Sequence, residues 1–202
     1  MADLLNRFFS TLDELAAKHG VLRYQTVGDA YIAVAHASTQ PGNLKAGETW
    51  TPEKAICDFG IAAVECAGKM PVFSDDRTPP AGFHSLAIRA GIASGPVAFQ
   101  LVTFDRMEIL GDTVNLASRM ESTGVADRVQ VSEAHYATVH RTFSSAKKHS
   151  ANVKGKGRMT TYLLDATSGL ATVSSSMLVS VSEVDGIHTG ASEASLSLPG
   201  QA

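Results

Sequence analysis

Leu4, Leu5, Phe8, Phe9, Leu12, Leu15 and Ala16 recur at the 3.6-residue spacing of a single helix face, and Gly20 follows where a helix stop belongs. The pattern predicts a helix over residues 2–20. Two short apolar runs come next, Val21–Val27 and Tyr31–Ala35, parted by Gly28-Asp29-Ala30. They read as a hairpin with an acidic tip. Residues 36–52 mix Gly, Pro, Asn and Thr around the single tryptophan, as a loop does. Pro52 then opens a second periodic stretch, with Ala55, Ile56, Phe59, Ala62, Ala63 and Cys66 on one side, predicting a helix to Lys69.

After a loop over 71–85, Leu86–Ala93 and Val97–Phe104 flank Ser94-Gly95-Pro96 and read as a second hairpin. Asp112–Glu121 reads as a third helix, Arg128–Ser132 as a short strand, and Ser132–His140 as a fourth helix. A last hairpin, Thr142–Val153 with Met159–Leu164, turns on Lys154-Gly155-Lys156-Gly157. From 166 onward the chain is rich in Ser, Thr, Ala and Gly, and no Lys or Arg follows Arg158. The expectation is a folded domain over 1–165 and a mostly disordered tail over 166–202. This order of elements describes an α+β sheet with helices covering one face.

Composition narrows the class. A chain of 202 residues that is 44% hydrophobic can bury a core, which excludes a wholly disordered protein. Seventeen Lys and Arg against 20 Asp and Glu give a net charge of −3, so no global basic field is available to hold nucleic acid or an anionic membrane. Cys57 and Cys66 are the only cysteines, too few for a disulfide scaffold or a zinc module. No run of about 18 apolar residues occurs. The opening residues carry acids inside an amphipathic pattern, unlike a signal peptide, and a reducing cytoplasmic setting is expected.

Three stretches carry candidate chemistry. In Gly111-Asp112-Thr113-Val114-Asn115-Leu116-Ala117-Ser118-Arg119, Asn115 and Arg119 stand four apart on one helix, so their heads reach the same patch of space. Arg offers forked, permanent donors to phosphate oxygens, and Asn can orient a sugar oxygen. The competing reading is a solvated helix face with the Arg paired to an acid. Asp29, on the Gly28-Asp29 turn, either bonds its own backbone or holds one side of a Mg²⁺ ion. The glycine-spaced turn Lys154-Gly155-Lys156-Gly157-Arg158 presents cations and open backbone N–H groups, or is an ordinary hairpin tip.

Taken together, LLNRFFSTLDELAAKHGV, TVGDAYIAVA, LAIRAGIASGPV, ILGDTVNLASRMESTGVADRVQVSE and NVKGKGRMTTYLL resemble the class III nucleotidyl cyclase catalytic domain, the shared adenylate and guanylate cyclase fold. The resemblance spans residues 3–164. It implies a ferredoxin-like α+β core with an antiparallel-rich sheet, working as a head-to-tail homodimer or as a heterodimer with another cyclase domain. It also implies closure of a nucleoside triphosphate, ATP or GTP, to a 3′,5′-cyclic nucleotide with Mg²⁺ or Mn²⁺. By position, Asp29 matches the second metal-binding aspartate, Asn115 the ribose-orienting asparagine, Arg119 the arginine on the transferring phosphorus, and Lys154 the lysine on the triphosphate.

The sequence also departs from the pattern. The family's first metal aspartate lies on a strand ahead of the opening helix, in a segment resembling F-A-D-I-x-G-F-T, and this chain begins at that helix. The expectation is a fragment of a longer protein, or else a degenerate partner subunit. The missing strand belongs centrally in the sheet, so an exposed pairing edge is expected. The purine-reading positions fall on Gln25 and Glu108, matching neither the guanylate nor the adenylate cyclase set. Glu108 can accept from adenine's 6-amino group, whereas guanine's 6-oxo would face a carboxylate, which favours ATP. Ala93-Ser94 stands where His-Thr is common, and Phe99–Val102 replaces a Gly-rich run. One alternative is a non-catalytic cyclase-homology module that only dimerises. Another is a ferredoxin-like nucleic-acid binder, disfavoured by the net charge and by the absence of an aromatic stacking platform.

Overall fold

The structure, a computed structural model, describes residues 2–42, 44, 49–71, 85–103, 106–165 and 174–181, the stretches 101–103, 106–107 and 174–181 by their backbone alone. The helices are α1 (Ala2–His19), α2 (Pro52–Lys69), α3 (Asp112–Ser122) and α4 (Glu133–Val139). The strands are β1 (Leu22–Val27), β2 (Ala30–Val34), β3 (Ala87–Ile92), β4 (Ala98–Thr103), β5 (Arg106–Leu110), β6 (Arg128–Ser132), β7 (Lys147–Val153), β8 (Gly157–Asp165) and β9 (Ser174–Val181). Seven strands form one sheet in the order β1-β2-β9-β3-β6-β8-β7, and β4 with β5 forms a separate ribbon. The large sheet is mixed. Its outer joins are antiparallel, while β2-β9, β9-β3 and β3-β6 are parallel.

The main core lies where α1, α2 and α4 cover one face of the sheet. Phe8, Leu12 and Ala16 of α1 meet Ile56, Phe59 and Ala63 of α2 and the inward residues Tyr31, Ala33, Ile88, Ala90, Ile92, Val129 and Val131. α2 starts at Thr51, whose hydroxyl accepts from the Lys54 N–H, with Pro52 in the first turn. α3 lies on the opposite face. Strand alternation shows this directly, because Ile92 faces Gly60 of α2 while a Cβ at Gly91 would fall 2.0 Å from the Glu121 nitrogen of α3. Helices therefore cover both faces, not one as the pattern suggested, and α3, bearing Asn115 and Arg119, lies on the face opposite the other three helices.

Two further expectations change. Ser94-Gly95-Pro96 does not turn a hairpin. β3 already has β9 and β6 as its neighbours, so the chain leaves the sheet at this turn, and β4 pairs with the unanticipated β5. Residues 174–181, expected to be disordered, form β9 between β2 and β3, so the pairing edge expected there is filled. Residues 72–84 of the predicted 71–85 loop and the rest of the tail, 166–173 and 182–202, lie outside the described residues. The other predicted elements stand within a few residues, although β7 starts at Lys147 rather than Thr142.

A buried polar chain crosses the main core. Cys57 Sγ lies 3.0 Å from His135 Nε2, and His135 Nδ1 is hydrogen-bonded with Ser94 Oγ. A neutral imidazole has one donor and one acceptor, enough for both contacts, whereas an imidazolium here would be a desolvated charge. Burial pushes the His135 pKa down to about 4 from 6.5, weakly opposed by a backbone bond to Glu53. Burial likewise pushes the Cys57 thiol well above its ordinary value.

Two outcomes follow from this packing. Gly91→Ala forces the α3 backbone off β3 and should lower unfolding free energy by at least about 2 kcal/mol in a denaturant titration. His135 must take up a proton to unfold at acid pH. Its contribution is therefore complete above pH 6.5 and is lost as the pH falls from 6.5 toward 4, by up to about 3 kcal/mol. Denaturant midpoints measured across that window should fall with acid, and His135→Leu, less stable at neutral pH, should show a flatter slope.

Candidate active site

α3 begins at Gly111, whose φ of 147° lies in the region open to glycine, with no side-chain cap. Its first turn is held by Thr113, whose Oγ1 donates to the Pro96 carbonyl at 2.8 Å. Its last turn is held by buried Gln130, whose Nε2 donates to the Met120 carbonyl at 3.0 Å and to Thr123 Oγ1 at 2.8 Å. Arg89 of β3 adds a forked pair to Glu121, at 3.0 Å from Nε and 2.9 Å from Nη2. Thr113, Ala117 and Met120 are buried against the sheet. With the helix so fixed, Asn115 is exposed and Arg119 half-buried, one turn apart on the outward side.

Glu121, two residues along the helix from Arg119, faces the sheet, where it pairs with Arg89. Among the described residues the Arg119 guanidinium has no ion-pair partner.

The basic turn comes to the same helix. Ala151, Val153 and Met159, flanking it, pack with Leu116 and Met120. Lys156 Nζ lies 2.6 Å from Asp112 Oδ2 at the start of α3. Lys154 is exposed two residues earlier and has no ion-pair partner among the described residues. Asn115, Arg119 and Lys154 therefore border one surface.

Asp29 is elsewhere. It sits exposed on the two-residue turn between β1 and β2, where Gly28 at φ 63° allows the tight reversal. The β1-β2 and β7-β8 hairpins occupy opposite edges of the sheet. At about 4.8 Å per strand they are separated by roughly 24 Å. A cavity of about 460 Å³ lies beside this turn on the α1 side, lined by Asn6, Phe9, Ser10, Asp13, Arg23, Thr26 and Gly28. There Asp13 takes a 2.8 Å ion pair from Arg23 and a 2.8 Å hydrogen bond from the Tyr31 hydroxyl. Burial, then the Asp13 carboxylate, pushes the Tyr31 hydroxyl pKa well up.

The described residues contain no cluster of three or more His, Cys, Asp or Glu side chains able to hold a metal ion. A single Asp29 carboxylate does not fit a two-ion clamp.

Gln25 and Glu108 come from different sheets and are linked through their neighbours. Gln25 is on β1, and Glu108, on β5, precedes Ile109, whose N–H donates to the Tyr24 hydroxyl at 2.7 Å. Sequence reasoning passed over Tyr24, Thr113, Gln130 and Gly91. Only Gly91 left a signal, a lone glycine inside a strand pattern, which marks a close backbone approach. No described helix is long and apolar enough to cross a membrane.

Residues 1–166 match the family described as the adenylate and guanylate cyclase catalytic domain. The human guanylate cyclase soluble subunit beta-2 is 33% identical over 167 residues, covering 81% of this chain and 25% of that protein. The germination-specific adenylate cyclase of Dictyostelium discoideum is 32% identical over 166 residues, covering 80% of this chain and 18% of that protein. The chain thus spans a quarter or less of the length of these two relatives. Among solved structures, the guanylate cyclase domain of RhGC from Catenaria anguillulae in complex with GTP superposes with a TM-score of 0.57 at 26% identity, covering 80% of this chain and 81% of that one. With its own α+β architecture and a family match across residues 1–166, the chain belongs to the adenylate and guanylate cyclase catalytic-domain family.

Proposed function

We propose that this chain contributes to a nucleotide cyclase site that closes ATP, in preference to GTP, to its 3′,5′-cyclic monophosphate. In that reaction the ribose 3′-oxygen forms a bond to the α-phosphorus as the bond from that phosphorus to the leaving pyrophosphate breaks. The 3′-hydroxyl proton passes to solvent. The observation that carries the reading is the pair on α3, an exposed Asn115 one turn from an Arg119 without an acidic partner among the described residues. Arg119 would hold the charge building on the transferring phosphoryl group, Asn115 would orient the sugar, and Lys154 would hold the outer phosphates. Glu108 accepting from the 6-amino group and the Gln25 amide donating to N1 would read adenine.

The distance between the hairpin that carries Asp29 and the hairpin that carries Lys154 supports a head-to-tail dimer, homomeric or with another cyclase domain, in which the β1-β2 hairpin of one copy faces α3 of the other. Asp29 is then the carboxylate this chain offers to a divalent cation such as Mg²⁺ or Mn²⁺. Its remaining ligands would come from the paired domain, the nucleotide phosphates or water. We place the activity in the cytoplasm or on the cytoplasmic part of a membrane protein, and assign it no nucleic-acid partner. The lone carboxylate favours one other reading, a module that pairs with a cyclase domain without catalysing.

Mixing the chain with an intact cyclase domain, ATP and Mg²⁺ or Mn²⁺ separates the two readings. Cyclic AMP production should rise above that of the intact domain alone, and Arg119→Ala in this chain should lower the gain by about 10²–10³. No gain in production, with a dimer nonetheless formed, would establish the non-catalytic module.

A further inference from the structure

β1 and β2 pair in register as Arg23↔Ala33, then Gln25↔Ile32 and Thr26↔Tyr31, leaving Tyr24 as an extra residue in a β-bulge. The bulge decides which way Gln25 faces. In an unbroken strand, residues 23 and 25 would share a face. Here Arg23 and Thr26 share one instead, with Arg23 Nη2 donating to Thr26 Oγ1 at 3.5 Å and the Arg23 guanidinium over the Tyr31 ring on the α1 side. Tyr24 packs on the other side with Val34, Val97 and Ile109, beside Val114 of α3. Gln25, opposite Ile32 of the same group, shares that side. The extra residue therefore turns Gln25 from the α1 face to the face of α3.

The same residue fixes Glu108. The β4-β5 ribbon lies outside the main sheet, so its position depends on what ties it there. The Tyr24 hydroxyl, accepting from the Ile109 N–H at 2.7 Å, ties the backbone beside Glu108 to β1. The ring of Tyr24 and the side chain of Ile109 share one apolar cluster, so bond and packing act together.

We infer that Tyr24 is a positioning residue for purine recognition: its bulge aims Gln25, and its hydroxyl holds Glu108 at the matching height. This rests on the proposed cyclase reading, in which Gln25 and Glu108 meet the base. Discrimination between two purines depends on the spacing of both polar groups at once, because a group left unpaired in a closed pocket weakens binding. A ribbon free to shift against β1 would let either base find a compromise. Phosphate and ribose contacts on α3 would be untouched.

The test uses the whole chain with fluorescent analogues of ATP and GTP, comparing the natural sequence, Tyr24→Phe and Arg119→Ala. Tyr24→Phe keeps the ring and its packing and removes the acceptor. The ATP-to-GTP affinity ratio should fall toward one by about five- to tenfold, and the Ile109 amide should exchange faster with solvent. Arg119→Ala should instead weaken both nucleotides alike. If Tyr24→Phe leaves the ratio unchanged while Arg119→Ala weakens both, the role given to Tyr24 is wrong and the cyclase reading stands. An unchanged ratio with a still-protected Ile109 amide has the same meaning. A Tyr24→Phe chain that fails to fold makes the bond a folding requirement and also overturns the positioning role. If Arg119→Ala changes nothing, or the natural chain binds neither nucleotide, the cyclase reading falls and this inference with it.

Discussion

The backbone of α3 rests directly on β3 at Gly91, and the site on the second face depends on that contact. A helix normally stands off a sheet by the thickness of two side-chain layers. Here the nearest atoms to a Cβ at Gly91 would be the Glu121 nitrogen, the Ala117 carbonyl and the Glu121 Cα, all within 2.6 Å. The helix is therefore set at the lowest height the sheet permits, and its outward residues are set with it. The flanking bonds act on that height as clamps. Thr113 to Pro96 fixes the first turn, and Gln130 with the Arg89–Glu121 pair fixes the last. Because the Arg89 and Glu121 side chains are only 26% and 12% exposed, their pairing is geometric more than a source of net stability.

What could be read from the chain alone was what depends on local period. α1 and α2 are written in the spacing of Leu, Phe and Ala, and the β1-β2 and β7-β8 hairpins in short runs meeting at glycine turns. What could not be read was the choice of partners. Ser94-Gly95-Pro96 announces a change of direction, yet whether the chain folds back on β3 or leaves the sheet depends on which neighbours β3 already has. β5 went unnoticed because Arg106 and Glu108 break up the short apolar run between the predicted strand to Phe104 and the predicted helix from Asp112. The α3 face was missed for a related reason. Helix periodicity says that a helix buries a side, not which side of the sheet receives it.

The candidate site divides along the same line. Asn115, Arg119 and Lys154 were singled out by residue type and spacing, and the fold brings them to the border of one surface. Tyr24 was illegible because its importance is a matter of register. A bulge has no sequence signature here, and an aromatic residue in a strand reads as core. The buried chain from Cys57 through His135 to Ser94 joins residues from α2, α4 and the turn after β3, and no local pattern foretells it.

β9 ties these parts together. Without it the backbone ladder of the large sheet would stop between β2 and β3, leaving β1 and β2 to be held by α1 and by the cluster of Val34, Val97 and Ile109. With it, hydrogen bonds run parallel on both sides, to β2 from Val179 to Val181 and to β3 from Ser174 to Ser180. α3 also packs over β9 as well as β3. The strand thereby sets the lateral distance between the hairpin that carries Asp29 and Gln25 and the helix that carries Asn115 and Arg119. A serine-rich segment suits that place. Parallel ladders satisfy the backbone whatever the side chains are, and between two strands already packed on their own helices the backbone pairing is the larger demand. The spacing of the two halves of the surface is thus a property of main-chain hydrogen bonds, and the chemistry is a property of the side chains those bonds hold apart.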